Sequence, residues 1–223
     1  MLNLILAESA LELVPKEIRK RPAIVNDSKR RGIDANGILL DRSFHHSAMT
    51  GLKDSEKRGR PDLVHVTLLS ATGTRIYLRG LVKVYVHTYD DWVLEIEPKT
   101  RIPKNYLRFR GLMEEVLVEK PLEGLVAAYP MQISELARKL SADLVVGLSV
   151  QGKMTPLGDL ARTVVEAKAP VVVVGGFPHG HFSGRTLSVL DQLVRIHADP
   201  LEAHVVVSRL LYEVERRSEG FND

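Results

Sequence analysis

The chain of 223 residues contains no cysteine. Disulfide bridges, thiolate metal sites and a cysteine nucleophile are therefore excluded. No apolar run approaches the ~20 residues needed to cross a bilayer. The opening stretch MLNLILAESALELVPKE lacks the basic leader and small-residue cleavage site of a secretory signal, so a cytoplasmic protein with no membrane partner is expected. There is no internal repeat, no low-complexity tract and no Gly/Ser linker. No P-loop, Ser-His-Asp arrangement or glycosidase carboxylate pair stands in an informative context. Gly175, Gly176 and Gly180 do not make G-x-G-x-x-G, and the HFSGRTLSVL that follows does not open a clean helix. Both are required for a dinucleotide-binding turn, which argues against a nucleotide-dependent oxidoreductase.

What is present is enough for a packed core: 44% of residues are hydrophobic and 26% charged. The C-terminal half alternates strand and helix. A helix over 133–140 precedes the buried strand 143-DLVVGLSV-150. The helix 156-PLGDLARTVVEAK-168 precedes 171-VVVV-174, which is too apolar for a strand with one wet face. Last comes a helix in 199-DPLEAHVVVSRLLYEVERR-217, with Asp199 as N-cap, Pro200 in the first turn and Glu202 as capping-box acid. Such alternation predicts a parallel sheet flanked on both faces by helices. The N-terminal half begins with the strand MLNLILAES and a helix. Residues 82–97 alternate about Asp90–Asp91 and read as a β-hairpin, an elaboration within one domain spanning 1–223. A helix follows in NYLRFRGLMEEVLVEK.

The net charge of +3 conceals an asymmetry. Residues 1–120 hold 21 Lys/Arg against 16 Asp/Glu, and residues 121–223 hold 10 against 12. The segment 99-KTRIPKNYLRFR-110 has five basic residues and no acid. It could be an ordinary solvated face, but the interleaved Tyr106 and Phe109 suit stacking on unpaired RNA bases. In 59-GRPDLVH-65, Asp62 could fix the guanidinium of Arg60 and leave its other donors for phosphate or a base edge. The plainer alternative is a surface ion pair at a helix start. Three loops, 148–156, 175–183 and 196–201, follow apolar strands and would converge on one crevice in a doubly wound sheet. Each alone could be plain turn chemistry. His179 with His181, and His45 with His46, have no third ligand at recognisable spacing, so no metal site is expected. His197 and His204, beside or within the last helix, can be packed or exposed there.

GRPDLVH, RIPKNYLRFRGLM, VVGGFPHG and IHADPL occur in the order found in Nep/Emg-type ribosome-biogenesis proteins, and the chain resembles that family from about residue 2 to residue 217. These are pseudouridine N1-methyltransferases of the SPOUT superfamily. The resemblance implies a SPOUT-type α/β fold: a mostly parallel sheet flanked by helices, with a C-terminal trefoil knot that the alternation of elements does not predict. It places an RNA-binding elaboration at about 53–112 and a cofactor-binding knot at about 143–217. It implies S-adenosylmethionine as methyl donor, contacted by Leu148, Gly175, Gly180 and the third loop Ile196, His197, Ala198, Asp199, Pro200 and Leu201. His197 and Asp199 would contribute backbone at most. For RNA it implies Arg60, Arg101, Lys104 and Arg108, with Asp62 orienting Arg60. Lys104 stands where many relatives have Arg, which keeps the charge and loses the bidentate fork.

The implied partners are small-subunit rRNA, a second copy of the chain in a homodimer and ribosomal assembly proteins. Val205, Val206, Leu210 and Leu211 offer an apolar dimer face, or else plain core. The implied reaction is methylation of pseudouridine N1. A second class of reading is an rRNA-binding assembly factor in which the methyl donor is structural.

Overall fold

A computed structural model describes residues 1–98, 100–119 and 125–218. Its centre is a seven-stranded sheet in the order β4-β3-β2-β1-β6-β5-β7. The strands are β1 (Leu2–Ser9), β2 (Val82–Thr88), β3 (Trp92–Ile96), β4 (Val126–Pro130), β5 (Leu144–Met154), β6 (Pro170–Gly175) and β7 (Gln192–Arg195). The pairings β2/β1, β1/β6, β6/β5 and β5/β7 are all parallel. The other two, β2/β3 and β3/β4, are antiparallel and form one edge. The helices that position the site are α1 (Pro22–Arg31), α2 (Arg42–His45), α3 (Pro61–Thr72), α4 (Arg75–Leu78), α5 (Tyr106–Glu119), α6 (Ile133–Lys139), α7 (Leu157–Glu166), α8 (Gly184–Leu187) and α9 (Ala203–Arg217).

The four valines of β6 show why the sheet is covered on both sides. Val172 and Val174 join one core with Val64 and Leu68 of α3, Phe109 and Met113 of α5, Leu160 of α7 and Leu210 of α9. Val171 and Val173 point the other way, to Ile133 and Leu136 of α6 and to Phe182. Both registers of a period-two strand are apolar because both of its faces are dry. A third, smaller cluster (Val14, Ile18, Ile24, Ile38, Leu40 and Met49) lies under α1.

Several expectations change. The hairpin is present, with Asp91 in the left-handed region at φ 60°, but it is no appendage: β2 is an internal strand that pairs with β1. β5 runs on to Met154, through residues expected to be loop, and Lys153 and Met154 make a second register with Val194 and Arg195. The last helix begins at Ala203 with Glu202 at its N-cap, so Asp199 and Pro200 lie in the preceding loop. Leu210 and Leu211 are fully buried within the chain. α9 therefore spends that part of the face on its own core, while Val205 and Val206 stay half-buried. Lys99 and Lys120 lie outside the described residues.

Candidate functional site

The three loops do converge. A cavity of about 500 Å³ is walled by Leu148–Val150 of β5, by Gly175 and residues 177–182 after β6, and by the segment after β7 together with Leu63 of α3 and Val206 of α9. Eight of the nine residues expected at a cofactor, Leu148, Gly175, Gly180, Ile196, His197, Asp199, Pro200 and Leu201, line it. Ala198 is in the same loop but not in the wall. The walls are made by the carboxyl ends of neighbouring parallel strands, where crevices open in an α/β sheet.

Two glycines have a local reason. Gly180 has φ 93°, a conformation that L side chains rarely adopt. A Cβ on Gly175 would meet the Phe177 ring at 2.9 Å, so the loop folds back on itself where only hydrogen fits. At Gly152, on the extended end of β5, a Cβ would lie 2.4–2.5 Å from the backbone N, Cα and C of Val194. β5 and β7 thus cross in near backbone contact, directly before the third loop.

Beside this cavity stands the expected arginine–carboxylate pair. Arg60 caps α3, and Pro61 and Asp62 form its first turn. Its Nε and Nη2 donate to the two oxygens of Asp62, each at 2.8 Å. Burial pushes the Asp62 carboxyl up, but the paired guanidinium overrides it and holds the pKa below the ordinary value. Such a carboxylate is a poor proton acceptor. Arg60 also feels the charge of Glu202, at the foot of the third loop, and Leu63, one turn further on, is in the cavity wall.

The basic segment is tied to the same helix. His65 Nε2 donates to the Pro103 carbonyl at 2.6 Å. The His65 ring stacks on Phe109 at 4.3 Å. Arg101, Lys104 and Arg108 are exposed, and the side-chain oxygen of Asn105 accepts from Arg108 N at 3.1 Å at the head of α5. The aromatic expectation fails for Phe109. Phe109 is fully buried, because it shares the inward stripe of α5 with Met113 and Val116. The Tyr106 hydroxyl donates to Asp41. The Phe109 ring is therefore closed to a base, while the Tyr106 ring stays half-buried.

Sequence reasoning missed the residues that fasten the cavity's second loop. Glu8, at the end of β1, and Lys57, ahead of GRPD, pair at 2.7 Å. Arg58 forms a buried bidentate pair with Glu12. The signal available was a pair of acids, Glu8 and Glu12, within an apolar stretch that cannot leave them unpaired. Among the described residues, no group of three or more His, Asp or Glu is placed to hold a metal.

This chain is similar to known proteins along almost its whole length. The model of the family described as EMG1/NEP1 methyltransferase matches residues 4–215. A protein of Staphylothermus marinus named ribosomal RNA small subunit methyltransferase Nep1 is 38% identical over 219 residues, 96% of this chain and 95% of the relative. Its namesake in Pyrobaculum neutrophilum is 42% identical over 217 residues, 95% of this chain and 96% of the relative. The crystal structure of Archaeoglobus fulgidus Nep1 bound to S-adenosylhomocysteine superposes with a TM-score of 0.85 at 34% identity, covering 96% of this chain and 97% of that one. Sequence and fold agree, and the chain belongs to the EMG1/NEP1 methyltransferase family.

Proposed function

We propose that the protein transfers a methyl group from S-adenosylmethionine to N1 of a pseudouridine in small-subunit rRNA, during assembly of that subunit. The observation that carries this reading is the meeting of three strand-end loops around one cavity, with the Arg60–Asp62 pair at its side. A relative whose structure holds S-adenosylhomocysteine supports it. The cavity fits such a ligand. Its volume is in the range of small-molecule sites, and Gly180, whose φ of 93° favours glycine, is part of its wall. Leu148, Gly175, Gly180 and residues 196–201 would hold the cofactor, which when bound supplies an electrophilic methyl group.

The chain's own part is to bind and orient. Methyl transfer from a sulfonium is an in-line displacement, so placement of the acceptor nitrogen dominates the rate. Arg60, fixed by Asp62, keeps its remaining donor Nη1 for the RNA, while Arg101, Lys104 and Arg108 neutralise phosphate. The target base leaves its stack to enter the cavity. Asp62 orients Arg60 rather than taking the N1 proton, since its basicity is lowered. No covalent enzyme intermediate is needed, in keeping with a chain that has no cysteine.

The close crossing at Gly152 and the doubled register of β5 on β7 support a knotted C-terminal region at about 143–217. The continuous sheet supports a single domain over 1–223, in which the RNA-binding stretch 53–112 includes the internal strand β2. The protein acts in the cytoplasm, as a homodimer, with ribosomal assembly proteins nearby. The dimer contact would use exposed apolar residues such as Val165 and Tyr212 in place of Leu210 and Leu211. Calorimetric titration with S-adenosylhomocysteine tests the cofactor site: saturable one-site binding is expected, and no heat and no thermal stabilisation would overturn it.

A further inference from the structure

We infer that Lys57 and Glu8 are positioning residues of the cofactor site, and that their ion pair holds the second loop, residues 177–183, and the start of α8 in their binding shape. The inference rests on the cofactor reading above. Neither side chain is in the wall of the 500 Å³ cavity, so both act through the loop.

Glu8 sits at the end of β1 with φ 51°, a strained conformation for a residue with a side chain. Strain of this kind persists only where the surroundings over-determine it. Here they do. One carboxylate oxygen of Glu8 accepts from Ser183 N at 2.7 Å and from the Thr186 hydroxyl at 2.6 Å. The other accepts from Lys57 Nζ at 2.7 Å. Its backbone N–H donates to His87 Nδ1 at 3.3 Å.

Lys57 reaches the other half of the loop. Its ammonium donates to the His181 carbonyl and lies 4.4 Å from the centre of the Phe177 ring. Its stem passes 3.1 Å from where a Cβ on Gly180 would be. Phe177 in turn packs over Gly175 and meets Phe182 edge-on at 5.9 Å. Two side chains therefore fix the loop at residues 177, 181 and 183, and the start of α8 at residue 186, on both sides of the glycine that lines the cavity. On the far side of this tie is a second cavity of about 650 Å³, which Glu8 and Lys57 help to wall. The loop thus lies between two open spaces, anchored in the core by Phe182 and held on either side of that anchor by the Glu8–Lys57 tie.

The clamp on Arg58 separates this role from RNA binding. Arg58 is held by Glu12 at 2.7 and 2.6 Å and donates to the Lys53 carbonyl at 3.2 Å. Residues 58–60 therefore keep their place when Lys57 is altered, and Arg60 stays paired with Asp62.

The test uses Lys57→Met, Glu8→Gln and Lys57→Arg in the full chain. S-adenosylhomocysteine binding is measured by calorimetry, and methyl transfer to a pseudouridine hairpin by steady-state kinetics. Loss of the tie lets the loop leave its binding shape. If one molecule in ten then holds it, the apparent Kd rises about tenfold. Lys57→Met and Glu8→Gln should both show that rise, with a matching increase in KM for S-adenosylmethionine. Their kcat at saturation and hairpin affinity should stay close to wild type, and Lys57→Arg should recover most of the loss. A purely structural pair would lower the melting temperature without this split between KM and kcat. A folded Lys57→Met with wild-type cofactor affinity overturns the inference. Should that variant not fold, Glu8→Gln with wild-type affinity overturns it equally. Wild-type protein that fails to bind S-adenosylhomocysteine overturns the cofactor reading instead.

Discussion

Replacing Gly152 by alanine should damage both stability and cofactor binding. The added methyl would lie 2.4–2.5 Å from three backbone atoms of Val194, whereas carbon atoms rest at about 3.5–4.0 Å. The strands must part by about 1 Å, and the obstacle is backbone, which no rotamer change can move. Val194 is buried and pairs in register with Leu148 and again with Lys153. Separation therefore stretches the β5–β7 ladder as well as the apolar contact beneath it. Overpacking of this kind costs about 1–3 kcal/mol, and the upper end is expected because hydrogen bonds worth about 1 kcal/mol each are strained too. For a chain of this size, 1 kcal/mol moves Tm by about 2–4 °C, so a fall of about 6–12 °C should follow. Because β7 leads into residues 196–201, S-adenosylhomocysteine binding should weaken as well. Gly111→Ala is the control: it lies in α5 with nothing within 4 Å of its would-be Cβ, and should gain about 0.5–1 kcal/mol. Thermal melts of both variants, with and without S-adenosylhomocysteine, decide the matter. A Gly152→Ala protein that melts and binds like wild type would refute the reasoning.

Gly180→Val should fold but bind S-adenosylhomocysteine more weakly, because its φ of 93° is strained for valine and the new side chain meets Lys57; calorimetry reads this. Arg101→Ala and Arg108→Ala should each reduce the slope of log affinity against log salt by about 0.7 for single-stranded RNA, with cofactor affinity nearly unchanged. Asp62→Ala, which frees the geometry of Arg60 and keeps its charge, should lower specificity for a cognate over a scrambled hairpin more than it lowers non-specific binding in filter assays. Burial raises the pKa of Glu8, but Lys57, Thr186 and Ser183 together override it and leave it below the ordinary 4.5. A depressed carboxylate pKa contributes stability that is fully present above the unfolded value and is lost as pH falls through the folded one. Cofactor affinity should therefore hold from neutral pH down to about the ordinary carboxylate value and drop below it, a step that Glu8→Gln should lack.

Much of the sheet could be read from residues alone, for physical reasons. Four valines in a row demand two dry faces, and Asp90–Asp91 between alternating runs demands a turn; both hold. The Arg60–Asp62 pair was legible because a two-residue spacing at a helix start brings the groups together. The second half of β5 was not legible. SVQGKM is polar and exposed, and it is a strand because β7 lies against it. Asp199 and Pro200 carry the chemistry of a helix start three residues too early, in a loop that bounds the cavity. Phe109 looked available for a base because it stands among cations. Its spacing to Met113 and Val116 already described the buried stripe of α5. Glu8 and Lys57 are 49 residues apart, and no local pattern joins them. The proposed knot rests on the family resemblance at the level of sequence, since threading leaves no mark on periodicity.

The central claim is methyl transfer to pseudouridine N1, and single-turnover reactions with nucleoside mass analysis test it most directly. Excess protein is incubated with S-adenosylmethionine and two small-subunit rRNA hairpins that differ only in carrying pseudouridine or uridine at one position. The account predicts one methyl group on N1 of the pseudouridine and none on the uridine hairpin. RNA that is bound tightly yet released unmethylated, or uridine methylated as readily as its isomer, would contradict it.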